Sequence, residues 1–182
     1  NENSNDEGRQ FIVQIKIGRE NTLLGKTFIS GLLPELKDYT VRLITRDNEK
    51  LFPPFDDLTI KNNDELTISM TKGFLIDALK RNDPVFKSIN TKDFSSKTEM
   101  MIEAAITPGS FLIGRTLNQT NFEYESNCKV IGIQRDKSIE GDSLQNSKLG
   151  PGNTLLLKGS DKSLRSLRGI KDIFPIDLLN IS

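Results

Sequence analysis

Chemistry in this chain has to start from basic side chains, because the usual catalytic groups are scarce. No histidine occurs among the 182 residues, which removes the commonest general base near neutral pH and the commonest metal ligand. Cys128 is the single cysteine, too few for a disulfide framework or a thiolate cluster. It stands in an apolar stretch that reads as a buried strand, where a thiol is inert. Carboxylates are plentiful, yet no spacing gathers them into a metal site. Four basic residues remain as candidate ligand-binding groups: Lys26, Arg46, Arg115 and Arg135. Lys26 and Arg115 each follow a glycine at what reads as a helix start, where a cation and free amides together could hold an anion. Arg46 and Arg135 each precede an aspartate at a strand end. That arrangement serves as a ligand clamp or, more often, as a local ion pair worth roughly 0–1 kcal/mol.

One motif tempts toward nucleotide hydrolysis. Gly109-Ser110-Phe111-Leu112-Ile113-Gly114-Arg115-Thr116 is one substitution from a P-loop, whose backbone amides wrap phosphates while a Lys reaches their oxygens. Phe111, Leu112 and Ile113 are core-forming types, and Arg115 replaces the Lys. The heptad Phe111-Leu112-Ile113-Gly114-Arg115-Thr116-Leu117 has an earlier copy, Thr22-Leu23-Leu24-Gly25-Lys26-Thr27-Phe28, with Glu20 upstream where a phosphate would be repelled. The bland reading, a repeated structural start, is preferred.

That repetition organises the whole chain. Gly25 and Gly114 are 89 positions apart, and the same offset relates Val41, Ile44, Arg46 and Asp47 to Val130, Ile133, Arg135 and Asp136, Leu66 to Leu155, and Leu75 to Leu164. A register kept without a gap means one small domain written twice, and such periodicity overrides other fold signals. The expected organisation is a lead-in at 1–8, a first domain at 9–80, a linker at 81–98, a second domain at 99–170 and a tail at 171–182.

Each copy opens with apolar residues at every second position (Phe11, Val13, Ile15, Ile17; Met100, Ile102, Ala104, Ile106), the mark of a half-buried strand. Leu24, Phe28 and Leu32 stand four apart, as do Ile113 and Leu117, which predicts a short helix with Asn21 or Ser110 as its cap. Gly25 and Gly114 are expected where that helix approaches a neighbouring backbone. Residues 39–45 and 128–134 predict a second strand, running into Arg46-Asp47-Asn48 or Arg135-Asp136-Lys137 as a turn. Short return strands are expected at 50–52 and 138–139, with Pro53-Pro54 ending the first. Gly150-Pro151-Gly152-Asn153 suits a type II turn, and Asn63 in the first copy tolerates the positive φ that Gly152 supplies. Last strands at 65–70 and 154–158 precede amphipathic helices carrying Leu75, Ile76 and Leu79, or Leu164 and Leu167 behind a Ser160 cap. The linker is expected to be irregular, with Phe86, Ile89 and Phe94 packed across the domains.

Composition narrows the function. The 25 Lys and Arg balance the 25 Asp and Glu, which argues against a nucleic-acid partner. No apolar run reaches the length of about 18 that a membrane-spanning helix needs, and no signal peptide is legible. The chain opens on Asn1 rather than Met, so it is expected to be a piece of a longer one.

The order strand, Leu112-Ile113-Gly114-Arg115-Thr116, strand ending in Arg135-Asp136, Leu149-Gly150-Pro151-Gly152-Asn153-Thr154-Leu155 and closing helix resembles the TrkA C-terminal domain (RCK_C). That domain is the C-terminal half of regulators of potassium conductance. The family's usual Pro-Gly-Asp turn is met in part by Pro151-Gly152-Asn153 and by Asn62-Asn63-Asp64; the nucleotide-binding Rossmann half is missing. Two such domains in tandem resemble the cytoplasmic insert of sodium/divalent-anion symporter permeases, with Leu33-Pro34-Glu35-Leu36 and Lys171-Asp172-Ile173-Phe174 similar to that subgroup. Permeases of the aspartate/alanine exchanger type carry a similar pair.

The resemblance implies an α+β fold, each copy a small mixed or antiparallel sheet with two short helices. It implies a regulatory module with no catalytic residue and no cofactor, on the cytoplasmic face of the membrane, its tail leading toward a membrane segment. The implied partners are the membrane domain of the same polypeptide, a second copy in a homodimer, and a small effector such as cyclic di-AMP. An accessory subunit of a potassium-uptake system is the alternative.

Overall fold

The structure, a computed structural model, describes residues 10–89, 99–135 and 143–179. These form two compact units, one on 10–89 and one on 99–135 with 143–179.

In the first unit β1 (Gln10–Lys16) pairs antiparallel with β4 (Glu65–Met70), and β2 (Thr40–Arg46) takes the other side of β4. The alternation in the sequence sets this register: Phe11, Val13 and Ile15 lie opposite Met70, Ile68 and Leu66. All six are buried, so one face of the pair is continuously apolar. Asp47 and Asn48 both have positive φ, the geometry of a two-residue hairpin turn, and β3 (Glu49–Leu51) returns along β2. The strand order is β3-β2-β4-β1. Helix α1 (Lys72–Lys80) is capped by Thr71, whose hydroxyl accepts from the Phe74 amide. It buries Leu75, Ala78 and Leu79, the i, i+3, i+4 stripe of an amphipathic helix. Residues 81–89, read from sequence as the start of a connector, continue this unit. Phe86 is buried with its ring edge-on to Tyr39, and the Asn21 side chain donates to the Val85 carbonyl.

The second unit contains β5 (Glu99–Ile106), β6 (Lys129–Arg135), β7 (Thr154–Ser160) and β8 (Ile173–Leu179). All its strand pairs are antiparallel, in the order β6-β7-β5-β8. Helices α2 (Phe122–Ser126) and α3 (Asp161–Ser166) complete it. One core holds Ile106, Leu112, Leu117, Val130, Ile133, Leu155 and Leu167.

Several sequence expectations are corrected. The helix expected around Gly25 and Gly114 is a chain of tight turns. Leu23 is buried and Leu32 is 70% exposed, so the four-residue spacing of Leu24, Phe28 and Leu32 marks no stripe. The two glycines have φ of +83° and +79° with open space where a Cβ would stand; backbone handedness, not a close approach, calls for glycine. Asn21 and Ser110 accept from the amides two residues on, Leu23 and Leu112, closing local turns instead of capping a helix. Among the described residues the first unit has one α-helix instead of two. Within the stretch expected as a tail, residues 173–179 form β8 at the sheet edge. Pro175 falls there at a register shift opposite Ala104, where its missing N–H disrupts least. The lead-in 1–8, Phe94 and the return strand at 138–139 lie outside the described residues.

The 89-residue offset reappears in the hydrogen bonds. Gly25 and Gly114 donate to the carbonyls of Ile60 and Leu149, and those residues donate back to Lys26 and Arg115. Ile17 and Ile106 donate to Asp64 and Asn153. Asn63 and Gly152 both have positive φ, at the same place in the turn before the last central strand. Even the irregularities coincide: β2 shifts register between Val41 and Leu43, and β6 between Val130 and Gly132.

Candidate functional site

The four basic candidates do not converge. Arg46 closes a two-pronged contact in the first unit. Its Nε and one terminal nitrogen each lie 2.8 Å from the Asp64 carboxylate, and that nitrogen also donates to the Thr59 carbonyl at 2.8 Å. Asp64 is 1% exposed and accepts as well from the Lys61 amide. Burial pushes its pKa up, but the Arg46 bonds and the Lys61 amide outweigh it and hold the carboxyl below the usual range. The partner of Arg46 is thus a residue of the turn before β4, not the adjacent Asp47. The pair fastens the end of β2 to that turn and is satisfied internally, so it is a structural clasp.

In the second unit the position of Asp64 is taken by Asn153, whose Oδ1 accepts from Gly150 as Asp64 does from Lys61. Arg135, the counterpart of Arg46, ends β6 without that carboxylate opposite. Lys26 is half exposed and sits 3.5 Å from Glu35. Arg115 donates to the Phe111 carbonyl at 2.5 Å and stacks over the Phe111 ring at 3.8 Å. Lys26 follows a run of turns, and Arg115 precedes Thr116, which caps a three-residue 3-10 helix at Leu117–Gln119, so neither sits at the N-terminus of an α-helix.

The P-loop-like stretch is internally satisfied too. Asp172 accepts from the Phe111 amide at 2.8 Å and from the Ser110 hydroxyl. The amides of Leu112, Ile113, Gly114 and Arg115 go to Ser110 Oγ and to the carbonyls of Ser110, Leu149 and Leu112. A carboxylate from the chain occupies what a phosphate would need.

Sequence reasoning missed a different basic residue. A cleft of about 360 Å³ in the first unit is lined by Phe28, Leu33, Leu36, Tyr39, Phe55 and, as its one charged residue, Arg42. Phe28 and Phe55 pack ring to ring at 4.9 Å beneath it. Tyr39 is fixed edge-on against Phe74 and Phe86, and burial raises its phenol pKa despite the nearby Arg81. Arg42 is the extra residue at the β2 bulge, a device that re-aims a side chain. Its Nε donates to Ser69 Oγ at 3.0 Å. The available signal was a charge interrupting Val41, Leu43 and Ile44, where the second copy has Ile131.

With this geometry in hand, comparison with known proteins places the second unit. Residues 101–171 match the TrkA-C domain family, so the chain carries a TrkA-C domain there. An uncharacterized transporter of Synechocystis sp. is 24% identical over 178 residues, covering 93% of this chain. The chain spans 29% of the length of that relative. A crystal structure of the GsuK RCK domain is similar over 90% of this chain and 64% of its own, at 9% identity and a TM-score of 0.37. Among the described residues no helix is long and apolar enough to cross a membrane.

Proposed function

We propose that this chain is the paired regulatory module of a membrane transporter, built from two TrkA-C units in tandem. The observation that carries the reading is the likeness to an uncharacterized transporter running through both units, while the TrkA-C match itself falls on the second. Support for the first unit as a second copy comes from its shared hydrogen bonds, bulge and turn at the 89-residue offset. The transporter is of the sodium/divalent-anion symporter type, with the module on the cytoplasmic face and joined to the membrane domain in one polypeptide. Two copies associate as a homodimer, and an effector acts by preferring one arrangement of the module over another.

The test is sodium-driven uptake of sulfate by the full-length polypeptide in liposomes, with and without residues 10–179. A changed uptake rate that keeps its sodium dependence supports a regulatory role. An identical rate in both forms contradicts it.

A further inference from the structure

We propose that the cleft of the first unit binds a small amphipathic anion: an apolar body seated on Phe28, Leu33, Leu36 and Phe55, with its single acidic group on Arg42. Binding of this kind belongs to the unit itself, whether or not a transporter surrounds it.

Three observations converge on this place. The first is chemical. The lining is mainly aromatic and aliphatic, with Thr40 and the Tyr39 phenol as its neutral polar groups and Arg42 as its one charge, and no carboxylate is among the lining residues. An anion with a hydrophobic body therefore meets both a matching wall and an uncompensated charge. A volume of about 360 Å³ lies within the roughly 300–1,000 Å³ of small-molecule sites.

The second is geometric. Arg42 sits at the bulge and is half-buried, and Ser69 holds it by Nε alone. Its two terminal nitrogens have no partner among the described residues, leaving the end of the guanidinium fork for a carboxylate, sulfonate or phosphate oxygen. Pinning by Ser69 lowers the rotamer entropy lost on binding.

The third is the contrast between the two copies. The bulge is present in both, but the second unit has Ile131 at the position of Arg42, and Ile131 is buried. Where the first unit has Leu33, the second has Phe122, which opens α2 and packs into the core. Glu123 of α2 then accepts from the Val130 amide, tying the helix down across the bulge. One copy has closed this region with apolar packing; the other keeps it open and places a cation in it.

The test uses two probes on the whole chain: the aromatic sulfonate 8-anilinonaphthalene-1-sulfonate and its uncharged analogue N-phenyl-1-naphthylamine. The sulfonate is expected to bind saturably at one per chain, with amide shifts confined to residues 28–42 and 53–55. Arg42→Gln should weaken it roughly tenfold or more, the loss of a charged hydrogen-bond donor, and leave the neutral amine hardly changed. Arg42→Lys should recover part of the sulfonate affinity. Leu32 also lines the cleft and is largely exposed, so Leu32→Ser should weaken both probes without disturbing the core. Equal sulfonate affinity in Arg42→Gln and the unaltered chain would overturn the proposal, as would binding without saturation. So would a chain that is dimeric through this cleft and takes up neither probe.

Discussion

Replacing Arg46 by Met should destabilise the first unit far more than loss of a surface ion pair would. The pair is asymmetric: the Arg46 side chain is 24% exposed, whereas that of Asp64 is 1% exposed. Removing Arg46 strands a carboxylate that water cannot reach and leaves it one remaining donor, the Lys61 amide. Breaking a buried pair costs about 3–5 kcal/mol, and the partial exposure of Arg46 places this case near the lower end, about 3 kcal/mol. Asp64→Asn should cost less, about 1–2 kcal/mol, because it keeps an acceptor for Lys61 as Asn153 does for Gly150. Acid sets a second condition. The folded pKa of Asp64 lies below its unfolded value, so the contribution is fully present above the unfolded pKa of about 3.9. It is lost as pH falls through the folded pKa. The gap between the unaltered chain and Asp64→Asn should therefore shrink below about pH 4. Urea unfolding followed by circular dichroism at neutral and acid pH reads both effects. An Arg46→Met cost under about 1 kcal/mol, the value of an exposed pair, would refute the reasoning, as would a gap that ignores pH.

Three further outcomes follow from single positions. Gly25→Ala, at φ of +83° with open space for the new methyl, should lose about 1–2 kcal/mol from backbone strain alone, and Gly25→Asn less; thermal unfolding checks the order. A Cβ on Gly159 would stand 3.0 Å from Cys128 Sγ, so Gly159→Ala should cost about 1–3 kcal/mol. Adding Cys128→Ala should relieve part of that cost, a non-additive pair in a double-mutant cycle. Burial pushes the Cys128 thiol pKa up against its bond to Ser126, so a thiol reagent at mildly alkaline pH should react with the folded chain only as it opens. Labelling as fast in the folded as in the urea-unfolded chain would contradict this.

Legibility in the sequence varied with the range of the interaction concerned. Turns were readable because their chemistry is local: Asp47-Asn48 carries the positive φ of a hairpin, and Asn63 and Gly152 take the same left-handed geometry. The central strands were readable from alternation, since Val13, Ile15, Ile68 and Leu66 face one core. The segment at 24–32 misled because the four-residue spacing of Leu24, Phe28 and Leu32 imitates a helix, while the positive φ of Gly25 makes turns there instead. The strand β8 was not legible because its partner is β5, some seventy positions upstream. Arg46 beside Asp47 suggested a neighbour pair, yet the bond goes to Asp64 across the sheet. Arg42 drew no notice because a charge in a strand usually faces solvent; only the bulge and the loop above it turn its place into a cleft.

The account rests on one small fold occurring at two places 89 residues apart, and through-hydrogen-bond scalar couplings in the isotope-labelled chain test this most directly. Couplings from the Gly25 amide to the Ile60 carbonyl and from Gly114 to Leu149, each with its reciprocal to Lys26 and Arg115, are the predicted result. A first unit whose couplings pair Gly25 with any other carbonyl, while Gly114 pairs with Leu149, would contradict it.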